Sequence, residues 1–306
     1  MNKFSKPAPI ILFAYNRPWH TAKTVESLLK NDLAIKSDLI VFSDGAKNFK
    51  DIDKVFQVRK YVNGIQGFKS LKVIEQKINI GLAASIINGV TEVINKYGKV
   101  IVIEDDVVTS PYFLSFMNDA LETYITEEKV MHISGYMYPV KNNCLEDTFF
   151  LKPATCWGWA TWKRAWKFFN KDPDYLIDTF DKKMIYDFNL NGSYNYFRQV
   201  KFNKIGRINT WAVFWYATIF LQGGLSLHPS HSFVTNIGHD GQGVHCPESD
   251  KFDVELNMEY PINFSKKIFE DKLAKRALIE YFIKTKSSFP SKIFKRVQKL
   301  INSYQK

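Results

Sequence analysis

The first hundred residues constrain the fold most, because largely apolar runs alternate in them with helix-like stretches. The runs lie at 10–14 (Ile-Ile-Leu-Phe-Ala), 39–42, 71–74 and 100–103. A strand with almost no polar alternation is buried on both faces, as in a parallel sheet covered by helices. Between the runs, Pro18 suits the first turn of a helix in which Val25, Leu28 and Leu29 form an apolar stripe. A second helix follows Asn79-Ile80-Gly81 and runs through Val93, and Pro111 opens a third with Phe113, Phe116, Met117, Ala120 and Leu121 inward. Strands separated by helices predict an α/β fold: a mainly parallel central sheet, flanked by helices and joined by right-handed crossovers.

The strand ends are polar. Tyr15-Asn16-Arg17 follows the first run, Ser43-Asp44-Gly45 the second and Glu104-Asp105-Asp106 the fourth. Ligands of open α/β sheets bind beyond the carboxyl ends of the strands, so these clusters are expected to converge. Three adjacent carboxylates repel one another and call for a compensating cation. Hard ions such as Mg²⁺ take oxygen ligands and bind substrate phosphates as well. The same residues would also serve as an acidic loop before the helix at Pro111. Asp44 could accept a hydrogen bond from a nucleobase or sit in a plain Asp-Gly turn. Arg17 carries a planar donor fork suited to phosphate or to a base.

Beyond residue 130 the alternation fades. Four Trp fall within 155–166, a density that suits a core, although Trp157 or Trp159 could stack on the C–H face of a sugar. Residues 210–221 read as a buried helix around Trp211, Phe214, Trp215 and Ile219, stopped by Gly223-Gly224. In the loop 236–245, Gly238, Gly241 and Gly243 let backbone N–H groups approach an anion, and His239, Asp240 and His245 could ligate a metal or touch phosphate. Neither a P-loop nor a dinucleotide fingerprint is present.

The 306 residues carry a net charge of +11, and 262–306 hold ten Lys and two Arg against three acidic residues. That concentration argues against a nucleic-acid-binding face and predicts a nearly neutral body, 1–261, with a basic helical tail, 262–306. In the tail, Ile293, Phe294, Val297, Leu300, Ile301 and Tyr304 share one helical face, which would either lie in a membrane interface or dock on the body. Cys144, Cys156 and Cys246 show no C-x-x-C pair, and no apolar leader precedes the first strand. Both features lead to the expectation of a reducing, cytoplasmic setting, peripheral to the membrane if the tail binds it.

Taken in order, Pro9 to Arg17, Ile40 to Asp44, Val102 to Asp106, Ser110 to Phe113, Ile133 to Gly135, Trp157-Gly-Trp159 and His228-Pro229 through Gly238 to His245 resemble a known family. They are similar to metal-dependent glycosyltransferases of the GT-A fold, a Rossmann-like nucleotide-diphospho-sugar transferase fold. The likeness is to N-acetylglucosaminyltransferase I-like and related bacterial enzymes. It implies a nucleotide-sugar half (1–130) and an acceptor half (131–261). It further implies a UDP-sugar donor, such as a UDP-N-acetylhexosamine, with Tyr15, Arg17 and Asp44 about the uridine and Glu104 and Asp105 facing ribose and sugar. Asp106 would ligate Mn²⁺ or Mg²⁺, while Gly238, Gly241, Gly243 and His245 would close over the diphosphate. Trp157 and Trp159 would meet a saccharide or lipid-linked acceptor in bacterial surface glycan synthesis. Such enzymes invert the anomeric centre with a carboxylate base from a Trp-Asp-Asp-Trp type segment. Here Trp211-Ala-Val-Phe-Trp215 holds no carboxylate, which leaves Asp240 as the candidate base. Two alternatives stand beside this reading. A sugar-phosphate nucleotidyltransferase would need a glycine-rich loop where 14–18 read Ala-Tyr-Asn-Arg-Pro, and a non-catalytic basic protein would bind membrane or nucleic acid.

Overall fold

The computed structural model describes residues 6–141, 145–240 and 251–286. The strands among these residues are β1 (Ile10–Ala14), β2 (Asp38–Ser43), β3 (Ser70–Glu75), β4 (Lys99–Glu104), β5 (Val107–Thr109), β6 (Val130–Ser134), β7 (Thr148–Leu151), β8 (Trp159–Trp162), β9 (Leu225–Pro229) and β10 (Val234–Asn236). Eight form one sheet in the order β3-β2-β1-β4-β8-β6-β9-β7. Strands β1 to β4 are mutually parallel, β8 runs against both β4 and β6, β9 is parallel to β6, and β7 closes the edge antiparallel to β9. The protein is therefore α/β with a mainly parallel central sheet flanked by helices, as the alternation predicts.

The apolar runs are explained by the two cores. Ile10 and Leu12 of β1 face one side with Leu39, Val41, Ile101, Ile103 and the helix residues Val25 and Leu28. Ile11 and Phe13 face the other side with Ile40, Phe42, Val100, Val102 and Ile86 and Val90 of the helix Leu82–Tyr97. Successive side chains thus enter different cores, and each buried aliphatic group stabilises the fold by ~1.5–3 kcal/mol. The approach on the second face is close: a Cβ on Gly89 would stand 2.9 Å from the Phe13 ring.

Two sequence expectations change. The second half, which looks irregular, supplies β6 to β9 of the same sheet. Nor is 261/262 a structural boundary. Tyr124 Oη donates to the Ser265 carbonyl (2.8 Å), and Thr148 Oγ1 to that of Asn263 (3.0 Å). Residues 272–286 form a helix whose Ala274, Leu278 and Phe282 are buried with Met137, Phe149, Leu151 and Leu190. These apolar residues recur every four positions, while Lys272, Lys284 and Lys286 are exposed, so the segment packs as part of the body with most of its lysines outward. The amphipathic stretch 291–306 lies outside the described residues. No helix among those described is long and apolar enough to cross a membrane.

Candidate functional site

Because β1 lies between β2 and β4, the chain leaving β1 is delivered beside the acidic end of β4; Phe13 stands opposite Glu104 in register. Tyr15 N donates to Asp105 Oδ2 at 3.1 Å, and Arg17 Nη1 pairs with Asp106 Oδ2 at 2.7 Å. A small two-stranded sheet adds the third component. Strand β10 pairs antiparallel with β5, placing Asn236 opposite Val107. The Asn236 amide donates to Asp106 Oδ1 at 3.2 Å, Ile237 N to the Asp106 carbonyl at 2.8 Å, and Gly238 N to Asn236 Oδ1 at 2.7 Å. A Cβ on Gly238 would stand 2.1 Å from Asp106 Oδ2, so only glycine lets the backbone approach this pair. Further along, Asp240 Oδ1 lies 3.7 Å from Arg17 Nη2, and its Oδ2 meets His20 Nε2 at 3.1 Å.

The electrostatics of this cluster are undercompensated. Desolvation, then the charges of Asp106 and Asp105, hold the Glu104 carboxyl well above its ordinary range. Desolvation and the Asp106 charge push Asp105 up to about 7. Burial, followed by the Arg17 charge, lowers His20, so its neutral ring donates Nε2–H to Asp240. Arg17 Nε is buried and has no hydrogen-bond partner among the described residues. Four carboxyl groups, those of Glu104, Asp105, Asp106 and Asp240, thus surround one guanidinium, itself with an unused donor, and the pocket favours additional positive charge together with a strong acceptor.

No group of three or more His, Cys, Asp or Glu side chains among the described residues is arranged to hold a metal ion. The donor set still fits one kind of ion. Mg²⁺-like cations are often held by one or two carboxylates plus substrate phosphates and water, and Asp106 with its acidic neighbours suits that mode.

The other expected site residues divide. Gly238 and Asp240 join the cluster, while Gly241, Gly243 and His245 lie outside the described residues. Tyr15 turns its hydroxyl away, donating to Asp51 Oδ2 (3.0 Å) and accepting from Lys47 N (3.0 Å). Asp44 needs correction as a nucleobase acceptor. Its Oδ1 accepts from Gly45 N and Ile80 N at 2.9 Å each, and its Oδ2 from Gly81 N at 2.9 Å and the Asn79 amide at 3.0 Å. Those bonds fill the roughly four acceptor positions of a carboxylate, so Asp44 anchors the 79–81 turn. Trp159 is corrected as well: it is fully buried and packed on His132 and Trp211, with no face open to an acceptor. Gly158, at φ 57°, reverses the chain there and leaves Trp157 half-buried beside Tyr136, His239 and Phe252. Through His239, Trp157 borders the cluster. His20 and Asn236 are site residues that the motif reading passed over; His20 sits three positions after Arg17, one helical turn away and on the same side.

No protein-family model matches the chain, and no curated protein matches it. Among solved structures it is similar to a mannosyltransferase from Pyrobaculum calidifontis in complex with GDP-Man and Mn²⁺. The likeness has 10% sequence identity, covers 71% of this chain and 69% of that one, and has a TM-score of 0.42. A likeness of that size transfers no residue role and no substrate.

Proposed function

We propose that this protein is a glycosyltransferase that uses a nucleotide-sugar donor and a divalent cation, and that the donor diphosphate binds over Arg17, Asp106 and Gly238. The observation that carries the reading is the Arg17–Asp106 pair at 2.7 Å beneath Gly238, set among carboxyl groups pushed toward protonation. A bound Mn²⁺ or Mg²⁺, with Asp106 as its protein ligand, would neutralise charge developing on the departing nucleoside diphosphate. Arg17 holds Asp106 in the absence of donor. When donor arrives, its planar fork turns to the phosphates and frees the carboxylate.

That exchange also bears on the base. Asp240 faces both the Arg17 guanidinium, 3.7 Å away, and the His20 N–H, at 3.1 Å. Transfer of Arg17 to the diphosphate leaves Asp240 held by the His20 N–H, and its Oδ1 can then take the proton of an acceptor hydroxyl. Inversion at the anomeric carbon follows from such a base acting opposite the leaving group. Trp157 offers the ring for a saccharide acceptor, free or lipid-linked. We take the donor to be a UDP-sugar and the process to be bacterial surface glycan assembly, in keeping with the motif resemblance.

The test is thermal unfolding with UDP- and GDP-sugars, each with and without Mn²⁺. A matching donor at a hundredfold excess over Kd stabilises by ~2.7 kcal/mol, with Mn²⁺ required for the full effect. Absence of stabilisation by every nucleotide sugar tried, or equal stabilisation of an Asp106→Asn variant, would refute the site.

A further inference from the structure

We propose that the edge carrying Phe49, Ile52 and Phe56, interleaved with Lys47, Lys50 and Lys54, is a docking surface for an anionic lipid bilayer. The helix Ile52–Asn63 buries Val55, Val58 and Val62 against the body. Its opposite side should then be polar. Instead Phe49 is 78% exposed, Ile52 55% and Phe56 66%. Their spacing of three and then four places them on one face of the turn Phe49–Asp51 and the helix that continues it.

The charges complete the pattern. Lys50 and Lys54 are exposed between the apolar residues and Lys47 just before them, with Asp53 the one exposed acid of the stretch, so the surface keeps a net positive charge. The Asp51 carboxylate is taken up by Tyr15 Oη (3.0 Å) and the amides of Asn16 (2.8 Å) and Asn48 (2.7 Å), so it does not oppose the lysines freely. Exposed aromatic and aliphatic groups flanked by lysines suit the boundary between acyl chains and anionic headgroups. A second copy of this chain fits less well, because a two-fold interface would set the same lysines against one another. The Asp51 bonds also tie the surface to Tyr15 and Asn16, directly before Arg17. A bilayer seated here lies alongside the cleft, where a lipid-linked molecule can reach it. The inference needs neither donor nor catalysis.

The experiment is co-sedimentation of the full chain, without nucleotide or metal, with vesicles of phosphatidylcholine alone or containing roughly one-third phosphatidylglycerol. Wild-type protein should bind the anionic vesicles at least about tenfold more tightly than the neutral ones, and salt should weaken that binding. The combined change Phe49→Gln, Ile52→Gln and Phe56→Gln should weaken binding about tenfold with the melting temperature kept, and Phe49→Gln alone should weaken it about threefold. Changing Lys47, Lys50 and Lys54 to Gln should abolish the anionic preference. The proposal fails if the wild type does not bind, if the apolar variants bind as it does, or if light scattering shows a dimer that the apolar variant dissociates.

Discussion

The two halves of the sheet bury different kinds of polar group. Around β6 and β9, the buried histidines of the aromatic core are each held by fixed hydrogen bonds, although Trp159 Nε1, Ser226 Oγ and His228 Nδ1 have no partner among the described residues. His132 Nδ1 accepts from Trp215 Nε1 at 3.0 Å, while Nε2 lies 3.1 Å from both Ser134 Oγ and the Thr155 carbonyl. His228 Nε2 meets the Pro153 carbonyl at 3.0 Å. Burial keeps both rings neutral, His132 held well below the ordinary range and His228 pushed down to about 4. At the ends of β1 and β4, by contrast, Glu104, Asp105 and Asp106 face one Arg17. The first arrangement buries neutral groups; the second is short of positive charge. Neutral buried groups leave the first half without a charge to compensate, whereas crowded carboxyl groups mark the second as the place where added positive charge would lower the free energy.

The sharpest way to break this contrast is Trp215→Ala. The ring is 1% exposed and holds His132, so its loss should cost ~3–5 kcal/mol in denaturant unfolding. Donor affinity of the folded fraction should stay unchanged; a selective loss of affinity would show that the core and the site are one system.

Next comes acid sensitivity. His228 is lowered from 6.5 to about 4, so its contribution is present above pH ~6.5 and is lost as pH falls toward ~4, about 3 kcal/mol in all. His228→Gln should flatten that part of the stability profile. If the wild type and the variant lose stability in parallel over this range, His228 is not the group responsible.

In the other half, Asp106→Ala should lower Mn²⁺-dependent transfer more than tenfold, ~1.4 kcal/mol or more, while unfolding free energy changes by less than ~1 kcal/mol. Activity above about a tenth of wild type would remove Asp106 from the metal. Arg17→Lys should have the smallest effect, weakening donor binding about fivefold, ~1 kcal/mol, because the charge stays while the fork is lost. Calorimetric titration would check it, and unaltered affinity would mean that the diphosphate does not meet Arg17.

The same contrast governs what could be read from the chain. Strands β1, β2 and β4, and the convergence of Arg17 with Glu104 to Asp106, were legible because aliphatic runs ending in polar clusters have few other interpretations. Strands β6 and β9 were not. Val-Met-His-Ile-Ser and Leu-Ser-Leu-His-Pro look half-exposed, yet His132, Ser134, Ser226 and His228 are all buried. Partners such as Trp215 and Thr155 are distant in sequence, and nothing local announces them. The surroundings of Asp44 are hidden for the same reason, since its hydrogen bonds come largely from the turn at 79–81. The break at 261/262 followed a change in charge rather than in packing, and lysines on the outside of a docked helix leave that signal too. The missing carboxylate at Trp211 to Trp215 has a physical counterpart: Trp211 and Trp215 belong to the aromatic core, and no acid could ionise there at low cost.

The pairing of β5 with β10 has a consequence for the order of assembly. It brings together Asp106 and Asn236, 130 residues apart, through a ladder of three residue pairs. Contacts so distant in sequence form only after most of the intervening chain has been ordered, since each must first overcome the entropy of closing a long loop. During synthesis β1 to β4 can associate while β10 has yet to emerge, and Asp106 then has Arg17 but not Asn236. The cluster reaches its final geometry as the strand that completes it docks, so a chain stalled before that step carries the acidic strand end without a finished binding site.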